Sequence, residues 1–435
     1  MSGRYYIEVY GCSLNHADAA LAAGMLEAAG YRRVETPWEA DVILVFTCTV
    51  RLDSEERMTR RIRVLSGVAE KTGATLVVAG CMAAAQPYTV KRIYPKALLL
   101  SPANPHRVLE CLRRRRSLLH EPARPKTLYT PPPRIAMHGR VAEIPIVDGC
   151  LGDCAFCITK LARRRLYSRP LEVVKRYAEE LVRSGALELR VTGQDAAAYG
   201  VDIYGERLLP RLVEELASIP GDFMIRVGMM SPDQLLPILD ELLEAMRGPK
   251  VYKFLHVPVQ CGDDELLRIM GRKYTVDDVR YIVREARRRL PGVTIATDII
   301  VGHPGEDEEA FRNTLRLLEE LRFERVHVAQ YTPRPRTRAA AMKQVPDPVK
   351  KERSKRVMEI VQRIGFEEHS RLVGARARCL ALGPGERGGV EARLYNYVQV
   401  ILPEGVEPGW VEVEITEATW YDVRARPTLM PLEGS

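Results

Sequence analysis

Short segments rich in β-branched and aromatic residues alternate with helix-like segments from residue 5 to about residue 332. This alternation constrains the fold more than any other feature of the chain. YYIEVY (5–10), DVILVF (41–46) and TLVVAG (75–80) are each followed by a helical pattern. A strand that rejoins its neighbour through a helix runs parallel to it, so residues 1–115 read as an open parallel α/β domain. Residues 116–140 read as a linker, because Pro122, Pro125 and the run Pro131, Pro132, Pro133 forbid a continuous helix or a central strand. The alternation resumes over 141–345 with six candidate strands: AEIPIV, LELRVT, FMIRVG, YKFLHVPV, TIATDIIVG and RVHVAQYT. Six are too few for an eight-stranded barrel and predict a partial (β/α)6 barrel with a wide mouth. A charged connecting helix is expected over 346–371. Residues 372–435, with short alternating strands between Gly and Pro turns, read as a small all-β barrel. The predicted class is α/β with an all-β C-terminal addition.

Three of the nine cysteines fall in VDGCLGDCAFCITK, with the spacing C-x3-C-x2-C. Cys150, Cys154 and Cys157 on one glycine-containing loop can wrap one face of a compact metal centre. An iron–sulfur cube takes four cysteines, so three leave one iron open for a substrate or cofactor. A zinc site short of one ligand, or three structural cysteines, is the competing reading. Cys12, Cys48 and Cys81 share no local motif, yet each stands just past the carboxyl end of a predicted parallel strand, the edge where open α/β sheets bind ligands. If the strands are neighbours, the sheet gathers three thiols into a second open metal site; three independent buried cysteines are the alternative. Cys111, Cys261 and Cys379 have no partner spacing and are expected to pack.

No apolar run is long enough to cross a bilayer, and the N-terminus begins directly with strand-like sequence, so the chain reads as cytoplasmic without a membrane partner. Clustered cysteines in that reducing compartment read as metal ligands rather than disulfides. The net charge of +8 permits a polyanionic partner. Residues 351–378 hold eight Lys or Arg against four Asp or Glu, and Tyr395, Tyr397 and Trp410 lie in or beside the small barrel. Aromatics interleaved with charge can stack unpaired bases.

Across nearly its full length the chain resembles the radical S-adenosylmethionine (SAM) methylthiotransferases, through YGCSLNHAD, TCTVR, AGC, DGCLGDCAFC, SRP, VTGQDAAAYG, HVPVQ, ATDIIVGHPGE and YTPRPRT. The run CITKLAR is similar to the archaeal and eukaryotic branch, which methylthiolates C2 of N6-threonylcarbamoyladenosine at position 37 of tRNA. The resemblance implies a central radical-SAM barrel and a C-terminal barrel of the RNA-binding TRAM type. It also implies SAM and two [4Fe–4S] clusters, one on Cys150, Cys154 and Cys157 and an auxiliary one on Cys12, Cys48 and Cys81. All six cysteines are then catalytic. For SAM it implies Phe156 beside the adenine, Gln194 and Asp195 of TGQD near the amino group, and Arg226 on the carboxylate. Gln260, Gly302 and Gly305 complete the cofactor set. Implied partners are the anticodon stem-loop of tRNA and a reductant protein, with the enzyme acting as a monomer.

Relatives acting on isopentenyladenosine, or on a ribosomal protein side chain, are the nearest alternatives. An iron–sulfur electron carrier or redox sensor with an RNA-binding domain is the alternative from a different class. Four positions depart from the family pattern: Phe46 replaces Asn, Arg164 replaces Gly, His303 replaces an aromatic, and Arg336 replaces the Gly of a turn.

Overall fold

The computed structural model describes residues 3–50, 52–119, 129–385 and 388–428. Pro122 and Pro125 lie outside the described residues.

Five parallel strands open the chain: β1 (Arg4–Val9), β2 (Arg32–Arg33), β3 (Val42–Thr47), β4 (Thr75–Gly80) and β5 (Leu98–Leu100), in the order β2-β1-β3-β4-β5. Every residue of β3 is buried, as a central strand covered on both faces requires. Its side chains divide with the two-residue period of a strand. Ile43 and Val45 join the core under helix α2 (Leu52–Thr72), while Val42, Leu44 and Phe46 join the core under helix α1 (Ser13–Ala28). Phe46 is fully buried there, so the departure from Asn is a packing choice. Pro132 of the linker lies against α1, where a Cβ on Gly24 would come within 2.5 Å of its ring.

Six further parallel strands follow: β6 (Val141–Pro145), β7 (Glu188–Thr192), β8 (Met224–Val227), β9 (Phe254–His256), β10 (Thr294–Val301) and β11 (Arg325–Gln330). They form two sheets, β8-β7-β6 and β9-β10-β11. The regular ladder breaks between β8 and β9, where a bridge from Ile225 to Val251 and a bond from Tyr252 N to Ile225 O carry the curvature on. The expected partial barrel is thus present as two arcs. The intervening helices carry strong local signals. Val276–Arg289 starts in a capping box of Thr275 and Asp278 and ends on Arg287, Arg288 and Arg289, which complement its dipole.

Helix α3 (Asp347–Ser370) leads into a closed barrel of β12 (Arg376–Pro384), β13 (Val390–Leu394), β14 (Gln399–Leu402), β15 (Gly409–Ala418) and β16 (Val423–Pro427). Its seam with the central arcs takes up Tyr397 and Trp410, two of the three aromatics that the sequence offered for base stacking, and leaves Tyr395 partly exposed. Tyr397 is buried against Tyr252 and Phe254, and both tyrosine hydroxyls donate to Glu188. Trp410 Nε1 donates to Asp222, and the Tyr395 ring is capped by Lys253. Among the described residues no helix is long and apolar enough to cross a membrane.

Candidate active site

Strand register assembles the dispersed cysteines. Val9 pairs with Phe46 and Thr47 pairs with Gly80, so Cys48 and Cys81 each follow a matched strand end and Cys12 turns in beside them. The approach is tight: a Cβ on Gly11 would lie 3.3 Å from Cys48 Sγ. At Gly80, with φ +86, a Cβ would meet Thr47 O at 2.6 Å and Asn15 Oδ1 at 2.8 Å. Only glycine fits that packing and that backbone. Cys150, Cys154 and Cys157 occupy the loop after β6. Gly149 (φ +79) starts that loop; a Cβ there would overlap Arg165 O at 1.9 Å. The Gly149 amide donates to Gln194 Oε1 at 2.7 Å and to Asp148 Oδ1 at 3.0 Å, while Lys160 Nζ donates to Cys150 O at 2.9 Å.

Both triads line one cavity of about 560 Å³ between the N-terminal sheet and the barrel mouth. Phe156, Gln194, Asp195, Arg226 and Gln260 line it too. Gly302 and Gly305 do not. Their positive φ values (+73 and +95) serve close packing, because a Cβ would meet Lys350 Cγ at 2.3 Å and Ile269 Cδ1 at 3.0 Å. Cys111, Cys261 and Cys379 are buried away from partner thiols, and no described cysteine is in a disulfide.

Burial lifts the Cys81 and Cys150 thiols to about 12, and lifts Cys48 and Cys157 as well. Those four thiols, two in each trio, resist ionisation alone and suit a cationic centre able to stabilise thiolates. The surrounding groups also fit a zwitterionic ligand. Asp195 Oδ2 is buried without a partner, and burial raises its carboxyl to about 7. Arg226, resting on the Phe254 ring at 5.2 Å, has a buried Nε without a partner and no ion pair among the described residues. A free carboxylate acceptor and a free guanidinium fork match the ammonium and carboxylate of an amino acid moiety.

Several lining residues stand outside the expected site set, although Arg163 falls in CITKLAR. Arg163, buried, donates to Asp18 at 2.5 Å and to Asp148 at 2.8 Å, beside Cys81. It thereby joins helix α1 of the N-terminal domain to the start of the cluster loop. Arg272 donates to Cys154 Sγ at 3.2 Å, to Pro258 O and to the Tyr274 hydroxyl. Asp298 accepts from His256 at 2.9 Å and faces His327 at 3.1 Å. Burial alone would raise Asp298, but these bonds outweigh it and hold the carboxylate well below its ordinary range. His256 and Asp298 were present in HVPVQ and ATDIIVG; Arg272 lay in no motif.

The loop YTPRPRT packs on the N-terminal domain. Arg334 bonds Glu55 and Thr49, and Arg336 bonds Ala85 O, next to the dispersed triad. Arg336 has φ +64, which explains why a turn glycine is the family pattern at this place. The bond to Ala85 accompanies the strained backbone in this chain. His303 is likewise accounted for. Burial lowers its imidazole to about 4, so it stands neutral between Phe156 and Tyr331 as an aromatic ring.

The radical SAM superfamily pattern matches residues 144–318, and that of the uncharacterized protein family UPF0004 matches residues 4–101. The fold is similar to that of the radical SAM methyltransferase TsrM from Kitasatospora setae, solved with cobalamin and a [4Fe–4S] cluster, with a TM-score of 0.59 at 16% identity over 78% of this chain and 77% of that one. Fold and cysteine loop together define a radical SAM protein. Among its relatives are the probable threonylcarbamoyladenosine tRNA methylthiotransferases of Pyrococcus horikoshii (37% identical over 95% of this chain and 97% of the relative) and Methanothermobacter thermautotrophicus (38%, 96% and 97%). The human threonylcarbamoyladenosine tRNA methylthiotransferase is 33% identical over 98% of this chain and 74% of its own length. The chain belongs to the threonylcarbamoyladenosine tRNA methylthiotransferase family.

Proposed function

We propose that this protein methylthiolates tRNA by radical SAM chemistry, at C2 of N6-threonylcarbamoyladenosine in position 37 of the anticodon stem-loop. The names of its relatives support the substrate class, and one observation carries the assignment of roles: a single cavity lined by six cysteines in two trios. Clusters held by Cys150, Cys154 and Cys157 and by Cys12, Cys48 and Cys81, with bound SAM, supply hydrogen-atom abstraction and sulfur-group transfer. An aromatic C–H has no useful acidity, which is why the site needs no nucleophile–base pair.

The protein's own groups bind, orient and exclude. Arg226 takes the SAM carboxylate, and Asp195 Oδ2 accepts from its ammonium group. Gln194 and Lys160 fix the cysteine loop through Gly149 N and Cys150 O. Phe156 gives an apolar wall for the adenine, and Gln260, in a left-handed backbone conformation, is pinned by Asp298 O and Ile300 N at the cavity edge. In this reading residues 1–115 hold the auxiliary cluster, 141–345 the SAM site and 372–435 the RNA-binding barrel, joined by the linker 116–140 and the helix 346–371. A reductant protein supplies electrons, and the enzyme works as a monomer. Nucleosides of tRNA from a deletion strain, compared by mass spectrometry with the parent, are expected to lack 2-methylthio-N6-threonylcarbamoyladenosine. Its unchanged presence would overturn the substrate assignment.

A further inference from the structure

We propose that Trp420 and Tyr421, with Arg325, form a stacking platform for an unpaired RNA base next to the nucleotide that enters the cavity. The inference rests on the tRNA reading above and names the surface that reading lacks, since Tyr397 and Trp410 are spent in the seam between barrel and arcs.

The platform is built before any ligand arrives. The turn between β15 and β16 lies so close to α3 that a Cβ on Gly365 would come within 2.3 Å of Trp420 O. His369 Nδ1 meets Thr419 O at 2.8 Å. Thr419 Oγ1 accepts from the Asp422 and Tyr421 amides at 3.0 and 3.1 Å and donates to Asp422 Oδ1 at 2.9 Å. On this braced turn Trp420 and Tyr421 remain 38% and 39% exposed, their rings 5.5 Å apart and steeply inclined. Large aromatics fixed in this way lose little entropy when they engage a flat partner.

Two observations select a nucleotide as that partner. Arg325 stands 4.9 Å over the Tyr421 ring and makes no ion pair among the described residues; its charged neighbours are Arg226, Arg393 and Glu391, and Glu391 is already paired with Arg393. A half-buried cation with no ion pair of its own favours an incoming anion, and beside an aromatic pair a phosphate is the matching group. A chain of hydrogen-bonded side chains also links the groove to the active cavity. Arg325, His327, Met358, Trp420 and Tyr421 line about 220 Å³ together with Glu324, whose carboxylate is already held by Arg287 and the Ile295 amide. From there His327 reaches Asp298, and Asp298 reaches His256, both on the cavity wall. A base on Trp420 or Tyr421 would lie beside the strand that carries His327 toward the cavity.

The test uses the reconstituted holoenzyme and an anticodon stem-loop carrying 2-aminopurine beside the target adenosine. Wild-type protein is expected to quench the probe. Trp420→Ala with Tyr421→Ala should abolish the quenching and weaken Kd by about 5- to 100-fold, the range of a lost base stack. Trp420→Phe should restore most of both. Arg325→Gln should reduce the slope of log K against log salt by about one phosphate contact. Release of 5′-deoxyadenosine without RNA should stay at the wild-type level in every variant. An unquenched probe in a bound wild-type complex overturns the proposal, as does a double variant within about twofold of wild-type Kd. The same holds if the variants alter only sedimentation, which would mark a contact between copies of the chain. Failure of wild-type protein to bind the stem-loop at all would strike the tRNA reading itself.

Discussion

The two cysteine trios share one cavity but are made by opposite routes. Cys150, Cys154 and Cys157 lie on one loop, held by glycine geometry, Gln194 and Lys160 within a few residues of chain or one neighbouring strand end. Cys12, Cys48 and Cys81 stand past three separate strands, Cys81 opening a short helix, and meet only because β1, β3 and β4 pair in one parallel register. A local site tolerates disturbance elsewhere, whereas a register-built site inherits every fault of its sheet. The first is the more robust ligand set and the second is the more sensitive.

Removing one ligand from each trio gives the largest contrast. Cys150→Ala is expected to lower iron from about eight to about four per chain and to abolish 5′-deoxyadenosine release. Cys48→Ala should lose the same amount of iron yet keep that release while losing methylthiolated product. Loss of release in Cys48→Ala would break the division of labour. The glycines test the two building routes without touching sulfur. Gly80→Ala forces a Cβ into Thr47 O and Asn15, and should cost the N-terminal sheet about 2–4 kcal/mol with selective loss of the dispersed site. Gly149→Ala, with its 1.9 Å overlap on Arg165 O, should spare that site and empty the loop site. Iron content and denaturant unfolding read both.

Arg163 couples the two regions, so Arg163→Met leaves Asp18 and Asp148 buried without their shared cation. Breaking a buried pair in this way costs about 3–5 kcal/mol. The unfolding transition should shift by that amount, with iron lost from the dispersed site first.

The smallest effect is pH-dependent. Burial raises Asp195 to about 7, so the folded chain keeps a proton that the unfolded chain releases near the ordinary carboxyl pKa of about 4. The stability carried by that proton is complete below about pH 4 and is lost as pH rises through 7. Asp195→Asn stays neutral throughout and still accepts from Ser231 N. It should exceed the parent in stability by about 1–3 kcal/mol at pH 8, with the difference shrinking toward pH 5. A constant difference across that range would show that Asp195 does not titrate there.

Much of the architecture was legible because it is written in local periodicity. The alternation of β3, with Ile43 and Val45 against Val42, Leu44 and Phe46, announces a two-faced parallel strand, and the Thr275–Asp278 box announces a helix start. The loop trio was equally plain, since three ligands within eight residues need no tertiary information. The aromatics misled because barrel sequence does not say which face a ring takes. Tyr397 and Trp410 went to the interdomain seam, while Trp420 and Tyr421, with no motif around them, stayed outside. Gly302 and Gly305 were expected in the cofactor set; the structure gives them positive φ and packs them on Lys350 and Ile269.

By itself the sequence determined the parallel α/β class, the small C-terminal barrel and the ligand loop, because each follows from spacing along the chain. Tertiary structure alone decided that Cys12, Cys48 and Cys81 meet and that they face the loop trio across one cavity. It alone placed Arg163 and Arg272 beside the thiols. Those outcomes depend on register and on docking between segments far apart in the chain, where the pairing energy is summed over many weak contacts that no short motif encodes.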